Sequence, residues 1–176
     1  SIYRFRELHT IMAYFAKLDE NNIVTHVVSV KDNECVDANG VETDEQGQNF
    51  LRFIQKEPNA IWKQCSYNTR NDVHTKGGTA FRGNFPTVGY SYNEALNIFV
   101  SSKEYPSWIL HTEASTDLYT KYDWRAPIDP PTIHVKNEVM YNTTWDESNQ
   151  RWTAYLMDDN EIQYVWNAST LAWDVL

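Results

Sequence analysis

Cysteine is scarce. Cys35 and Cys65 are the only two in 176 residues, so no disulfide framework can organise the chain. A chain of this length can bury a core without such staples, and unpaired, partly buried thiols are expected. Glycine and proline number six each, which excludes collagen-like and low-complexity architectures. No apolar run approaches the roughly 18 residues of a membrane helix. The opening "SIYRFRELHTIMAYF" has neither the apolar centre nor the small-residue cleavage site of a secretory signal, so export by that route is not expected. Positive charge is also short. Fifteen Lys and Arg face twenty-four Asp and Glu, giving a net charge of -9 and an isoelectric point near 4.9. An acidic chain repels phosphate backbones, which argues against nucleic acid or an anionic membrane as partner.

Catalytic motifs are missing as well. His9, His26, His74, His111 and His134 stand at no metal-like spacing from one another or from a cysteine. H-E-x-x-H, G-x-S-x-G, the P-loop and G-x-G-x-x-G do not occur. Cys65 and His74 are nine residues apart, a spacing with almost no information about a nucleophile and its base. "DANGVETDE" at 37–45 is rich in carboxylates. Its Gly40 comes three residues after Asp37 rather than at the sixth loop position of an EF-hand, so a solvated turn is expected instead of a calcium site. The sequons at Asn142 and Asn167 read as hairpin-turn chemistry. No enzyme activity, metal or cofactor is expected from these residues.

What is abundant is aromatic. Seven Trp, eleven Tyr and seven Phe make up 14% of the chain, a composition that favours strands. They recur in a phrase. Tyr92 and Phe99, Trp145 and Trp152, and Trp166 and Trp173 are each separated by six residues, and each first aromatic is followed by Asn93, Asp146 or Asn167. Asn and Asp bond their own backbone in turns. The phrase therefore predicts a hairpin whose aromatics face each other across the ladder. Convergent hairpin chemistry accounts for the copy at 92–99. For the copies starting at 145 and 166, local duplication accounts equally well.

Around these pairs the chain predicts a hairpin from Tyr14 to Val30 turning at "DENN". A helix follows near 44–56, capped by Thr43 or Asp44, with Phe50, Phe53 and Ile54 as an apolar stripe on one face and Pro58 as terminator. "IWKQCSY" at 61–67 alternates as a strand, 68–85 reads as a polar loop, 88–100 as a hairpin, and "EYPSWIL" as an extended segment. Residues 139–175 read as a four-strand meander with a central turn at "DDNE". The proline-containing stretch 113–131 marks a boundary. The expected organisation is a short N-terminal extension followed by two domains. Arg6-Glu7 can be encoded by a purine-rich run a few codons before Met12, so residues 1–11 are expected to be a non-native or disordered extension. Residues 12–126 form an α+β main domain, antiparallel and β-rich with one principal helix, and 127–176 a small Trp-rich C-terminal β-meander.

Trp145, Trp152, Trp166 and Trp173 admit three uses: a glycan-stacking platform, the core of a small module, or burial against another subunit. A fourth reading, a hydrolase working through two carboxylates, has no pair of residues that the sequence singles out.

Taken in order, "MAYFAKLDENNIVTHVVSV", "WKQCSYNT", "FRGNFPTVGYSYNEALNIFV", "YPSW" and "YNTTWDESNQRW" resemble a family of small proteins encoded by marine bacteriophages, cyanophages especially. The resemblance runs from Met12 to about Trp152. Cys65 departs from it, standing where a small hydroxyl residue is expected, and the hairpin beyond Trp152 is additional. The resemblance implies a non-enzymatic structural or accessory protein, some relatives looking virion- or tail-associated. Its location would be the virion or the cytoplasm of the infected bacterium, and its partners other phage structural proteins or further copies of itself. The alternative is a glycan-binding module that contacts the host surface.

Overall fold

The computed structural model describes residues 12–176, and the expected extension at 1–11 lies outside them. The fold is α+β, built almost wholly from antiparallel strands, and α1 (Asp44–Gln55) is the one α-helix among the described residues. Contacts divide the chain into two compact units, one reaching Ser102 and the other starting at Lys103. The sequence-based boundary at 126–127 falls inside the second unit.

In the first unit, β1 (Met12–Leu18) is the middle strand of a three-stranded sheet. It pairs on one side with β2 (Val24–Lys31) and on the other with β3 (Ile61–Cys65). The β1–β2 turn falls at "DENN", where Asp19 accepts the Asn21 and Ile23 amides and Asn22 takes a left-handed φ of 61°. Period-two alternation on β1 gives two packed faces. Ala13 and Phe15 join Val30, Cys35, Leu51 and Trp62 beneath α1. Ala16 and Leu18 join Val24, Cys65, Tyr92 and Phe99 on the opposite face. This explains the mixed alternation of β3: Trp62 serves one core and Cys65 the other.

Thr43 caps α1 by accepting the Gln46 amide, and Lys56 closes it in the left-handed conformation. The packing face differs from the apolar stripe in the sequence. Gly47 and Leu51 are buried and Phe50 is half-buried, whereas Phe53 is 82% exposed and Ile54 50% exposed. The cause is close approach. A Cβ on Gly47 would lie 2.1 Å from Cζ of Phe15, so the helix rests on its glycine and turns the larger side chains outward.

The stretch 68–85 is less irregular than its composition suggests, since β4 (Thr69–Arg70) and β5 (Val73–His74) form a minimal hairpin. β6 (Ser91–Asn93) and β7 (Ile98–Val100) pair as expected, and a bridge from Ile23 to Ser91 ties that hairpin to the sheet.

The second unit begins with a correction. "EYPS" is not extended: the Trp108 amide donates to the Tyr105 carbonyl at 3.1 Å, a turn with Pro106 at its second position. Only β8 (Ile109–Leu110) is a strand there, paired with β9 (Trp124–Arg125). A meander follows in the order β10 (Val135–Lys136), β11 (Val139–Asp146), β12 (Arg151–Leu156), β13 (Asp159–Asn167) and β14 (Ala172–Val175). It has one strand more than expected. Its central turn is Met157-Asp158, because Leu156 pairs with Asp159, so "DDNE" lies mostly within β13. A register shift between Ala154 and Leu156 bends the sheet. The bend is large, for the rings of Tyr141 on β11 and Trp173 on β14 lie 5.1 Å apart. In a flat sheet three strand spacings would separate them by about 14 Å.

Candidate functional site

The aromatic pairs sit where the repeated phrase places them. Tyr92 opposes Phe99, Trp145 opposes Trp152, and Trp166 opposes Trp173, with ring centroids 5.4, 5.2 and 5.3 Å apart. Each turn uses the same parts. Asn93, Asp146 and Asn167 accept backbone amides of Leu96, Asn149 and Thr170, and a left-handed residue (Asn97, Gln150 or Leu171) returns the chain to the next strand. The two tryptophan pairs are edge-to-face and the Tyr92–Phe99 pair is tilted, and edge-to-face geometry contributes about 0.5–1.5 kcal/mol per pair beyond simple burial.

The four tryptophans share one face of the curled sheet, but they do not form an exposed row. Trp145 is 4% and Trp166 7% exposed, and Trp152 and Trp173 are half-buried. Three of their indole N–H groups are held within the unit. Trp145 donates to Oε2 of Glu147 at 2.8 Å, Trp152 to the Ile128 carbonyl at 3.0 Å, and Trp173 to the Ile133 carbonyl at 2.8 Å. Trp108 packs against both Trp145 and Trp152. Glu147 also accepts the backbone and side-chain donors of Ser107, and those bonds, Ser107 first, hold its carboxyl below the usual carboxylate range. Trp166 lines a cavity of about 410 Å³ with Pro127, Ile128, Asp129, Pro130 and Leu171.

A second concavity, about 440 Å³, belongs to the first unit. Asp32, Glu42, Gln64, Cys65, His74 and Tyr67 are among the residues that line it. It brings together a carboxylate pair that the sequence does not flag, since Asp32 and Glu42 come from separate loops. Burial first, then the neighbouring charge of Glu42, push the Asp32 carboxyl upward. Gln64 donates to Glu42 at 2.8 Å. Cys65 and His74 are both among its lining residues, but neither is poised for nucleophilic chemistry. Burial pushes the Cys65 thiol up to about 12, with Arg82 opposing. The His74 Nδ1 accepts the Gly78 amide at 2.9 Å and the Lys76 amide at 3.2 Å, so the ring serves its own loop. Gly78 is required for that closure, because a Cβ there would lie 2.9 Å from the imidazole.

The first half of the "DANGVETDE" stretch, Asp37 to Val41, is a turn that closes on itself. Asp37 accepts the amides of Asn39 and Val41, and Gly40 supplies a φ of 76°. Among the described residues no three His, Cys, Asp or Glu side chains group to hold a metal ion, and no helix is long and apolar enough to cross a membrane. Compared with protein-family models, curated proteins and solved structures, the chain matches none.

Proposed function

We propose that the protein is a non-enzymatic structural or accessory component of a bacteriophage that acts through its surfaces, with further copies of this chain as the principal partner. The observation that carries this reading is the outer face of α1. Phe53 and Ile54 stand in solvent on a helix that is well anchored by Gly47 and Leu51. Adjacent exposed apolar side chains mark a candidate contact surface, and symmetric repetition of one chain is a common way to cover such a face. The family resemblance points in the same direction. Peptide mass spectrometry of gradient-purified particles of a phage encoding a close relative tests the proposal. Stoichiometric peptides are expected, and their copy number would separate capsid from tail. Presence in infected-cell lysate with absence from particles would overturn it.

A second reading, contact with a host-surface glycan, is favoured by one specific observation. Trp166, one of the four paired tryptophans, lines a cavity of about 410 Å³.

A further inference from the structure

We propose that Asn39-Gly40 is a self-modification site, at which the folded chain loses ammonia through a succinimide and becomes aspartate or isoaspartate, at a rate set by opening of the turn from Asp37 to Val41.

The chemistry needs only an asparagine side chain, the next backbone nitrogen and water. The Gly40 nitrogen gives its proton to hydroxide and attacks Cγ of Asn39. A C–N bond forms, the bond from Cγ to Nδ2 breaks, and the leaving nitrogen takes a proton from water and departs as ammonia. Water then opens the five-membered ring. Breaking the newly formed bond gives aspartate in the original backbone. Breaking the older bond, between the Asn39 main-chain carbonyl and the Gly40 nitrogen, leaves the chain running through the side chain as isoaspartate. Water is consumed, ammonia is released, nothing is oxidised or reduced, and the chain gains one mass unit.

Three observations select this position. The first is access to the nitrogen. Of the six glycines only Gly40 follows an asparagine, and every other asparagine is followed by a residue whose side chain crowds the attack. Nothing lies within 4 Å of the place a Cβ on Gly40 would take. The second is a free carboxamide. Asn39 is exposed, and its side chain holds no hydrogen bond among the described residues. Asn84, Asn93 and Asn167 are held by contrast, since each accepts at least one backbone amide. The third is a restraint. The Gly40 amide donates to the Asp37 carbonyl at 3.0 Å, and the Asp37 amide donates to the Val41 carbonyl at 2.8 Å. Oδ1 of Asp37 accepts the Asn39 amide at 2.8 Å and the Val41 amide at 2.9 Å. A nitrogen whose proton is given to a carbonyl is not free to lose it, so the reaction waits for local opening of the turn. The product reaches further than the turn. Isoaspartate lengthens the main chain by a methylene shortly before Thr43, whose amide donates to the Cys35 carbonyl and whose side chain caps α1.

The test incubates the purified full chain at neutral and mildly alkaline pH, both in native buffer and in guanidinium chloride. Peptide mass spectrometry reads the mass gain at each asparagine, and labelling by an isoaspartyl methyltransferase reads isoaspartate. In the native chain Asn39 should gain mass before any other asparagine, faster at the higher pH, with isoaspartate among the products. Its native rate should lie about five- to tenfold below the rate in denaturant, as opening about one net hydrogen bond requires. Asp37→Ala removes the acceptor of two turn amides and should bring the native rate up toward the denatured one. Asn39→Gln leaves the backbone alone and should abolish the gain, because its longer side chain closes a six-membered ring far more slowly. A different asparagine reacting first in the native chain, or no gain at Asn39 there, would overturn the site. Equal rates in buffer and denaturant, or an Asp37→Ala chain no faster than its parent, would overturn the control by the turn.

Discussion

The two thiols show how burial decides chemistry at a single residue. Cys35 is pushed up to about 11, by burial first and then by Glu42 and other nearby carboxylates, and Cys65 to about 12. Both are free and buried. Thiolate is the reactive form, so the folded protein should resist a thiol-reactive chromophore at neutral pH and react at both positions only once unfolded. Prompt reaction of the native protein would contradict this. The same shifts fix a pH dependence. The folded state holds these protons more tightly than the unfolded chain, whose thiols titrate near their ordinary value of 9.0. The resulting stabilisation is complete below about pH 9 and is lost as the pH rises toward 11–12, which denaturant melts across that window would measure. Burial of these cysteines was legible from their scarcity and from the strand pattern around Cys65. The cleft that Cys65, His74, Asp32 and Glu42 all line was not, because it draws on separate segments whose approach leaves no periodic trace.

At the scale of elements, the hairpins were the most legible part of the chain. An aromatic, an Asn or Asp, and a second aromatic seven positions on specify a strand end, a turn and a register together. All three copies pair residue for residue as that phrase requires. The helix was legible in position and cap but not in orientation. Apolar periodicity selects the face bearing large side chains, whereas here the smallest side chain marks the contact. Replacing Gly47 by Ala makes the point measurable. Alanine gains about 1 kcal/mol in helix propensity. It also forces a methyl into the ring of Phe15, which is wholly buried, and overpacking of this kind costs about 1–3 kcal/mol. A lower denaturation midpoint is expected for Gly47→Ala; a higher one would mean that the helix does not rest on this glycine.

At the scale of the whole molecule, charge and apolar surface oppose each other. A net charge of -9 disfavours contact between like copies, while the Phe53 and Ile54 face favours it. Salt screens the first and spares the second. Self-association measured by sedimentation should therefore strengthen as ionic strength rises, and Phe53→Asp should abolish the gain without altering the fold. A response in the opposite direction would point to ion pairs and away from α1. The outline of the fold, antiparallel strands with one helix and a closing meander, follows from local pattern and was readable in the sequence. The curl that brings Tyr141 to Trp173 was not, because it arises from a bulge and from contacts between strands that are not neighbours in the sheet.

The edge-to-face tryptophans also have an optical meaning. Trp145 with Trp152, and Trp166 with Trp173, hold identical chromophores 5.2 and 5.3 Å apart at inclinations of 70° and 65°. At such separations the electronic transitions of two indoles couple, and the fixed twist between them makes the coupling chiral. Each hairpin thus carries its own exciton couplet in circular dichroism, present only while its two strands are in register. The phrase that sets the register of the chain also makes that register visible to light.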